Sequence, residues 1–382
     1  MAPFVLRWGV VGAGWIASEM TKDLVLDPAG RDVSDVAHAV AAVASRSVSK
    51  AQEFIDEYCP EGGWAQKSGL VKEKPVALGS YEELYAREDV DLVYVATPHP
   101  QHFGPVKAAL EAGKNVLVEK PATLNSKEWA ILAETAKAKG VFLMEGVWTR
   151  FFPLAYKFQE LIHKDKVIGD VRQLHADFGM DFYSILPDEH RVFNASLAGG
   201  ATLDLGPYTI LWALMTFFHH PDNAGEAPSR VASSMFPHPR TGVDLYSTMT
   251  LDFDKLLARA TLTCNNASTT PKDVGARIMG SEGSIIIPAG LSRPGKITIR
   301  RNKPAPEGMP AMIPRDYEEE VLEFPIQGFG LHWEADAVAR SIRDGEKENP
   351  RMPLSETALT MKLFDTWREQ TGYTFPAGLE QA

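Results

Sequence analysis

Short, unbroken apolar runs alternate with stretches of helical spacing through the first 145 residues. The apolar runs are 6–11, 39–44, 92–96, 115–119 and 141–145, each five or six residues long and bounded by turn signals. Between them, 15–26, 48–58, 101–112 and 126–139 carry helical patterns, the last with Ser126 placed to cap a run rich in alanine, leucine and lysine. Strand and helix in strict alternation predict βαβ units, hence a mostly parallel sheet covered on both faces. Residues 59–79 break the rhythm with Gly62-Gly63, Gly69 and Pro75 and read as an extended loop insertion.

After Met144 the period changes. A helix is predicted over 153–163, with Pro153 in its first turn, and another from near Leu203. Strand-like runs follow at 231–235, 245–253, 258–263, 276–279, 284–287 and 297–300. With 171–178, which lies between the two helices, they predict a large antiparallel sheet. Helices over 331–344 and 354–370 close the chain. The expected architecture is α/β: a dinucleotide-binding domain over 1–146, then an α+β domain over 147–382 with an open-faced, mostly antiparallel sheet. A chain of 382 residues suits two such cores.

Charge and cysteine content narrow the partners. A net charge of −11 argues against nucleic acid and anionic membranes. No apolar run approaches the ~18 residues of a membrane span, and the N-terminus lacks signal-peptide anatomy. Cys59 and Cys264 cannot build a disulfide framework, so a reducing, cytoplasmic setting is expected.

The first apolar run ends in Gly12-Ala13-Gly14-Trp15-Ile16-Ala17, the G-x-G-x-x-A pattern between strand and helix. Gly12 makes the turn, Gly14 lets a pyrophosphate approach the helix N-terminus, and Ala17 keeps helix and sheet close. The second run ends in Ser45-Arg46-Ser47, with Lys50 one turn on and no carboxylate. An acid there selects NAD through the ribose hydroxyls, whereas an arginine clamps a 2′-phosphate, so NADP is expected. The third run leads into Thr97-Pro98-His99-Pro100-Gln101-His102, expected along the cofactor. His99 and His102 have no further ligand at a recognised metal spacing, and no metal is expected.

The run at 115–119 ends in Glu119-Lys120-Pro121, which puts a cation at the carboxyl end of a buried strand, where open α/β sheets bind ligands. A second signature is the turn Ala198-Gly199-Gly200-Ala201, entering a helix with Asp204 and Tyr208 four apart on one face. Pro207 between them predicts that this helix starts near Asp204. Trp148 and Arg150 leave a strand end, Phe178 and Asp181 end another, and His190 and Arg191 precede Gly199. All six are candidates to line a substrate pocket. Phe151 and Phe152 are expected in the core.

The glycine turn, the Glu-Lys-Pro and the Gly-Gly…Asp…Gly…Tyr helix, in this order, resemble the glucose-fructose oxidoreductase/inositol dehydrogenase (Gfo/Idh/MocA) family over essentially the whole chain. Met144-Glu145-Gly146-Val147-Trp148-Thr149-Arg150-Phe151-Phe152-Pro153, with Thr97-Pro98-His99, resembles the branch of dimeric dihydrodiol dehydrogenases and fungal NADP-dependent D-xylose dehydrogenases. The resemblance implies Lys120 and Tyr208 as the catalytic pair, Asp204 orienting lysine or substrate, and a homodimer formed through the second-domain sheet. A tyrosine titrates near 10 and is a poor base at neutral pH unless a nearby ammonium favours the phenolate. The expected activity is oxidation of an aldopyranose at C1, D-xylose first, with dihydrodiol oxidation as the alternative. A non-catalytic NADP-binding regulator is a third reading, against which Lys120 and Tyr208 both argue.

Overall fold

The computed structural model describes residues 2–304 and 315–382. The chain divides into two compact units, one of residues 1–151, 326–362 and 377–382, the other of 152–325 and 363–376.

The first unit is built on a six-stranded parallel sheet. In chain order it contains β1 (Phe4–Val11), α1 (Trp15–Leu24), β2 (Val36–Ala44), α2 (Val48–Tyr58), α3 (Trp64–Lys67), β3 (Val76–Leu78), α4 (Tyr81–Tyr85), β4 (Leu92–Val95), α5 (Phe103–Glu111), β5 (Asn115–Glu119), α6 (Ser126–Lys139) and β6 (Leu143–Gly146). The strand order is β3-β2-β1-β4-β5-β6, so the direction of winding reverses between β1 and β4. That reversal is where doubly wound sheets open a ligand crevice. The strands were legible because helices cover both faces and leave no polar alternation: all four residues of β4 and of β6 are buried.

Two local expectations are corrected here. Residues 59–79 are not a bare insertion: α3 lies within them, and Val76–Leu78 adds a parallel edge strand to β2, Ala42 opposite Val76. Three residues in a Gly/Pro-rich stretch leave no periodicity to read. The cap of α6 is Asn125, whose Oδ1 accepts Glu128 N–H at 2.8 Å, one residue before Ser126.

Residues far along the chain complete this unit. Helix α9 (His332–Arg343) packs against α1, β1 and β2. The buried Asp23 of α1 accepts the backbone N–H groups of Phe329, Gly330 and Leu331 at 2.7–2.9 Å, fixing the turn that enters α9. Asp336 of α9 receives both forks of Arg31 at 2.8 Å and Nε2–H of His38 at 2.9 Å; His38 Nδ1 in turn accepts Trp8 Nε1–H at 3.1 Å.

The second unit contains α7 (Pro153–Gln159, continued by a π-helical turn Glu160–Lys164), β7 (Val171–Gly179), α8 (Ala201–Ala213), β8 (Arg230–Pro237), β9 (Asp244–Phe253), β10 (Ala258–Asn265), β11 (Ala276–Gly280), β12 (Gly283–Ile287), β13 (Lys296–Asn302) and β14 (Tyr317–Glu323). Residues 363–371 of α10 (Leu354–Thr371) also belong to it. The eight strands run β14-β13-β12-β11-β7-β10-β9-β8, antiparallel except for β7 beside β10. Strand β14 was not anticipated, because six of its seven residues are exposed and its sequence, Tyr-Glu-Glu-Glu-Val-Leu-Glu, has no apolar face.

Helix α8 packs on β7, β9 and β10. The opposite face carries the exposed His175, Arg259 and Arg277, with Gln173, Thr250, Thr261 and Thr263 half-buried between them and the exposed Phe236, Tyr246, Tyr317 and Val321 toward its edges. No helix among the described residues is long and apolar enough to cross a membrane.

Candidate functional site

The candidate site residues are distributed over the two units. In the first, β1 delivers the chain into Gly12, which has φ +99° and would press a Cβ to 2.8 Å from the Ala96 carbonyl oxygen. Only glycine serves there. Gly14 caps α1 without any side chain, and a Cβ on it would meet nothing within 4 Å. The helix N-terminus is thus bare and open, which fits an anionic pyrophosphate. Ala13 is exposed, Ile16 half-buried and Ala17 fully buried against the sheet. Trp15 is 65% exposed, although its ring meets Phe329 edge-on at 5.4 Å.

At the end of β2, Ser45 is buried, Ser47 accepts Lys50 N–H at 3.3 Å as the cap of α2, and Arg46 and Lys50 are exposed. The strand end therefore presents two cations and no acid. After β4, Thr97 Oγ1 donates to the Gln101 carbonyl, Pro98 is exposed and His99 half-buried. His102 is fully buried, with its ring nitrogens 2.8 Å from the carbonyl oxygens of Thr97 and Pro121. Burial holds its pKa below the usual imidazole range, with Lys120 acting the same way. This ring ties the β4 loop to the Lys120-Pro121 peptide, which is cis. Among the described residues no group of three His, Cys, Asp or Glu is placed to hold a metal.

Lys120 follows β5 and is half-buried. Glu119 beside it is buried and its Oε1 accepts a hydrogen bond from the Tyr94 hydroxyl at 2.5 Å, with its pKa raised by burial. Trp148 is buried and stacks on Phe329, centroids 4.9 Å apart and planes 2° from parallel. Arg150, a pocket candidate by sequence, is committed elsewhere: 1% exposed, it pairs with the buried Glu356 and donates to the Arg351 carbonyl at 3.2 Å. Phe151 and Phe152 are buried as expected.

In the second unit the Gly-Gly turn is dictated by Asp244. Gly200 has φ +120°, and a Cβ there would overlap Asp244 Oδ1. Asp244 Oδ2 accepts Thr202 N–H and Thr202 Oγ1–H at 2.7 Å and Ser247 Oγ–H at 2.9 Å, so this acid seats the start of α8. Burial raises its pKa to about 6. Sequence reasoning missed it, because nothing near Asp244 marks a partner 42 positions away.

Helix α8 begins at Ala201, not near Asp204, and Pro207 lies inside it. The reason is that every residue of α8 is buried, and tertiary packing outweighs the lost Pro207 donor. Asp204 and Tyr208 do share a face. Tyr208 is 6% exposed, and its ring meets Phe178 edge-on at 5.8 Å. Asp204 accepts from Arg191 Nη2 at 3.5 Å. Four sequence candidates, Phe178, Arg191, Asp204 and Tyr208, are therefore joined by two contacts, Phe178 to Tyr208 and Arg191 to Asp204. Asp181 is turned to its own loop, accepting Ser184 N–H at 3.1 Å, and His190 Nδ1 faces Val192 N–H at 3.4 Å.

Comparison with known proteins adds to this geometry. Residues 6–147 match the family described as an oxidoreductase family with an NAD-binding Rossmann fold, and residues 157–286 match the GFO/IDH/MocA C-terminal domain. The chain is 39% identical to a D-xylose 1-dehydrogenase (NADP(+)) of Hypocrea jecorina, covering 98% of this chain and 94% of that protein. It is 35% identical to a trans-1,2-dihydrobenzene-1,2-diol dehydrogenase of Danio rerio, covering 97% and 98%. In fold it resembles an aldose-aldose oxidoreductase from Caulobacter crescentus solved with glycerol, with TM-score 0.74 at 21% identity over 96% and 97% of the two chains.

Proposed function

The chain belongs to the GFO/IDH/MocA oxidoreductase family, and on that premise we propose that it is an NADP-dependent dehydrogenase oxidising an aldopyranose at C1, D-xylose to D-xylonolactone. The observation that carries the reading is the 39% identity, across 98% of the chain, to a protein named for that reaction. The coenzyme choice has independent support: Arg46 lies just beyond the end of β2, with Lys50 following and no carboxylate.

Gly12, Ala13, Gly14, Trp15 and Ile16 would hold the pyrophosphate. Ser45, Arg46, Ser47 and Lys50 would hold the 2′-phosphate, and Thr97, Pro98, His99, His102, Glu119 and Lys120 the nicotinamide half. NADP supplies the hydride acceptor. The C1–H bond breaks with its electron pair, the C1 hydroxyl gives its proton to Tyr208, and C1–O becomes the lactone carbonyl. Lys120 keeps the tyrosine ready to accept that proton. Asp204, Phe178, Trp148, Asp181, His190 and Arg191 are assigned to the sugar, while Arg150 is paired with Glu356.

Oxidation of a trans-dihydrodiol is the second reading, favoured by the aromatic surfaces of Trp148 on Phe329 and of Phe178 on Tyr208. A spectrophotometric screen of NADP and NAD against aldoses and cyclic diols decides between them. The proposal expects the highest kcat/KM for D-xylose with NADP, and a cyclic diol ahead of every aldose would replace it. Arg46→Ala is expected to weaken NADP binding about ten- to hundredfold, the worth of a charged hydrogen bond to phosphate. NAD binding should change by less than about threefold. Equal losses for both coenzymes would remove Arg46 from the phosphate site.

A further inference from the structure

Three carboxyl groups meet inside the first unit, behind Lys120. Glu119 ends β5, Glu145 lies in β6, and Glu334 stands in the first turn of α9. Glu119 and Gly146 are register partners, and Glu334 Oε2 lies 3.4 Å from where a Cβ on Gly146 would stand. Glu334 is 0% exposed, and neither of its oxygens has a hydrogen-bond partner. Glu145 is equally buried; its Oε1 accepts Ala122 N–H at 3.0 Å, and the Thr357 hydroxyl is the one side-chain donor beside it.

A carboxylate without a donor in a dry interior is costly, and three adjacent ones cannot all be ionised. Burial and the charges of Glu119 and Glu145 push Glu334 well up, and burial raises Glu145 to about 7. The charged groups facing the cluster are few. Lys120 adjoins Glu119, and Arg150 acts on Glu145 while paired with Glu356. Burial favours neutral His102. On α9, Asp336 is bound to Arg31 and His38, Arg340 to Asp35, and His332 Nε2 meets the Gln327 carbonyl.

The carboxyl ends of β4, β5 and β6 form the half of a doubly wound sheet that receives the second nucleotide of a dinucleotide. Oxidised and reduced nicotinamide differ there by one positive charge. A cation favours ionisation of a nearby acid, and a neutral ring does not. We propose that Glu334, packed with Glu119 and Glu145 in one buried cluster, is the charge-compensating group of the coenzyme site, so that binding of NADP+ releases a proton and binding of NADPH does not. This inference rests on the proposed coenzyme.

By linkage, a proton released on binding makes affinity rise with pH, up to about tenfold per pH unit, and protonation must respond reciprocally to the ligand. The test is calorimetric titration of the whole protein with NADP+ and with NADPH from pH 6 to 8.5, in buffers of different ionisation enthalpy. The 2′-phosphate titrates in both coenzymes and cancels in the comparison.

Wild type is expected to release more protons with NADP+ than with NADPH, and Glu334→Gln to lose at least half of that difference while NADPH affinity stays within about threefold. If Glu334→Gln does not fold, Glu145→Gln is measured with the same expectation. Equal proton release for both coenzymes, or a difference untouched by these substitutions, overturns the inference alone. Failure of either coenzyme to bind overturns the functional reading as well.

Discussion

Replacing Tyr208 by phenylalanine is expected to lower kcat by about 10²–10⁴-fold, the range for removing a general base. The loss should fall equally on kcat and kcat/KM, because the phenol oxygen matters only as the proton moves. The fold should survive. The ring remains, and with it the edge contact to Phe178. Lys120→Met keeps most of the stem and removes the cation, and a loss of similar size is expected. Coenzyme affinity measured alongside separates chemistry from binding: either variant retaining near-normal turnover with coenzyme bound would falsify the proposed pair.

Asp336→Ala carries the largest expected effect on stability. The substitution strands a buried guanidinium and a buried imidazole, since the side chain of Arg31 is 4% exposed and that of His38 1%. Removing one partner of a buried pair costs ~3–5 kcal/mol. Asp336→Asn, which retains one acceptor oxygen, should lose less. The pH dependence has a definite sign. Arg31 and His38 hold the Asp336 pKa well below the carboxylate range, so its contribution is full above ~4 and lost as pH falls further. Burial lowers His38 below its ordinary ~6.5, so protonating it also opposes folding, and that penalty grows as pH falls below ~6.5. Urea midpoints at pH 7, 5 and 4 should therefore fall progressively for wild type and more steeply for Asp336→Ala, which loses the carboxylate that holds the His38 pKa up. Parallel slopes would mean that other groups carry the acid sensitivity.

What was readable beforehand divides along physical lines. The strands of the parallel sheet and the Gly12 turn announce themselves, because burial on both faces and a positive φ leave few residue choices. Lys120 and Tyr208 were visible as polar groups in apolar or glycine-rich settings. What escaped notice is carried by partners distant in sequence. Asp23, Asp244, Glu334 and Asp336 look like ordinary acids until the fold surrounds them. Phe329 sits in a short stretch with no periodicity, yet it stacks on Trp148 and touches Trp15. Pro207 misled because local propensity marks it as an end, while the packing around α8 overrides it. Nothing around Arg150 in the sequence points to its ion-pair partner, Glu356, some 200 positions on.

The grip of Asp23 on residues 329–331 also has a consequence in time. The first unit is interrupted by residues 152–325, so the ribosome finishes its six strands long before it makes α9. At ~5–20 residues per second, the nascent sheet waits about 10–35 s with Asp23, Arg31 and His38 lacking their α9 partners. A fragment released at residue 151 inherits that state permanently. The parallel sheet can form on its own schedule, but its polar interior is neutralised only by chain that arrives last.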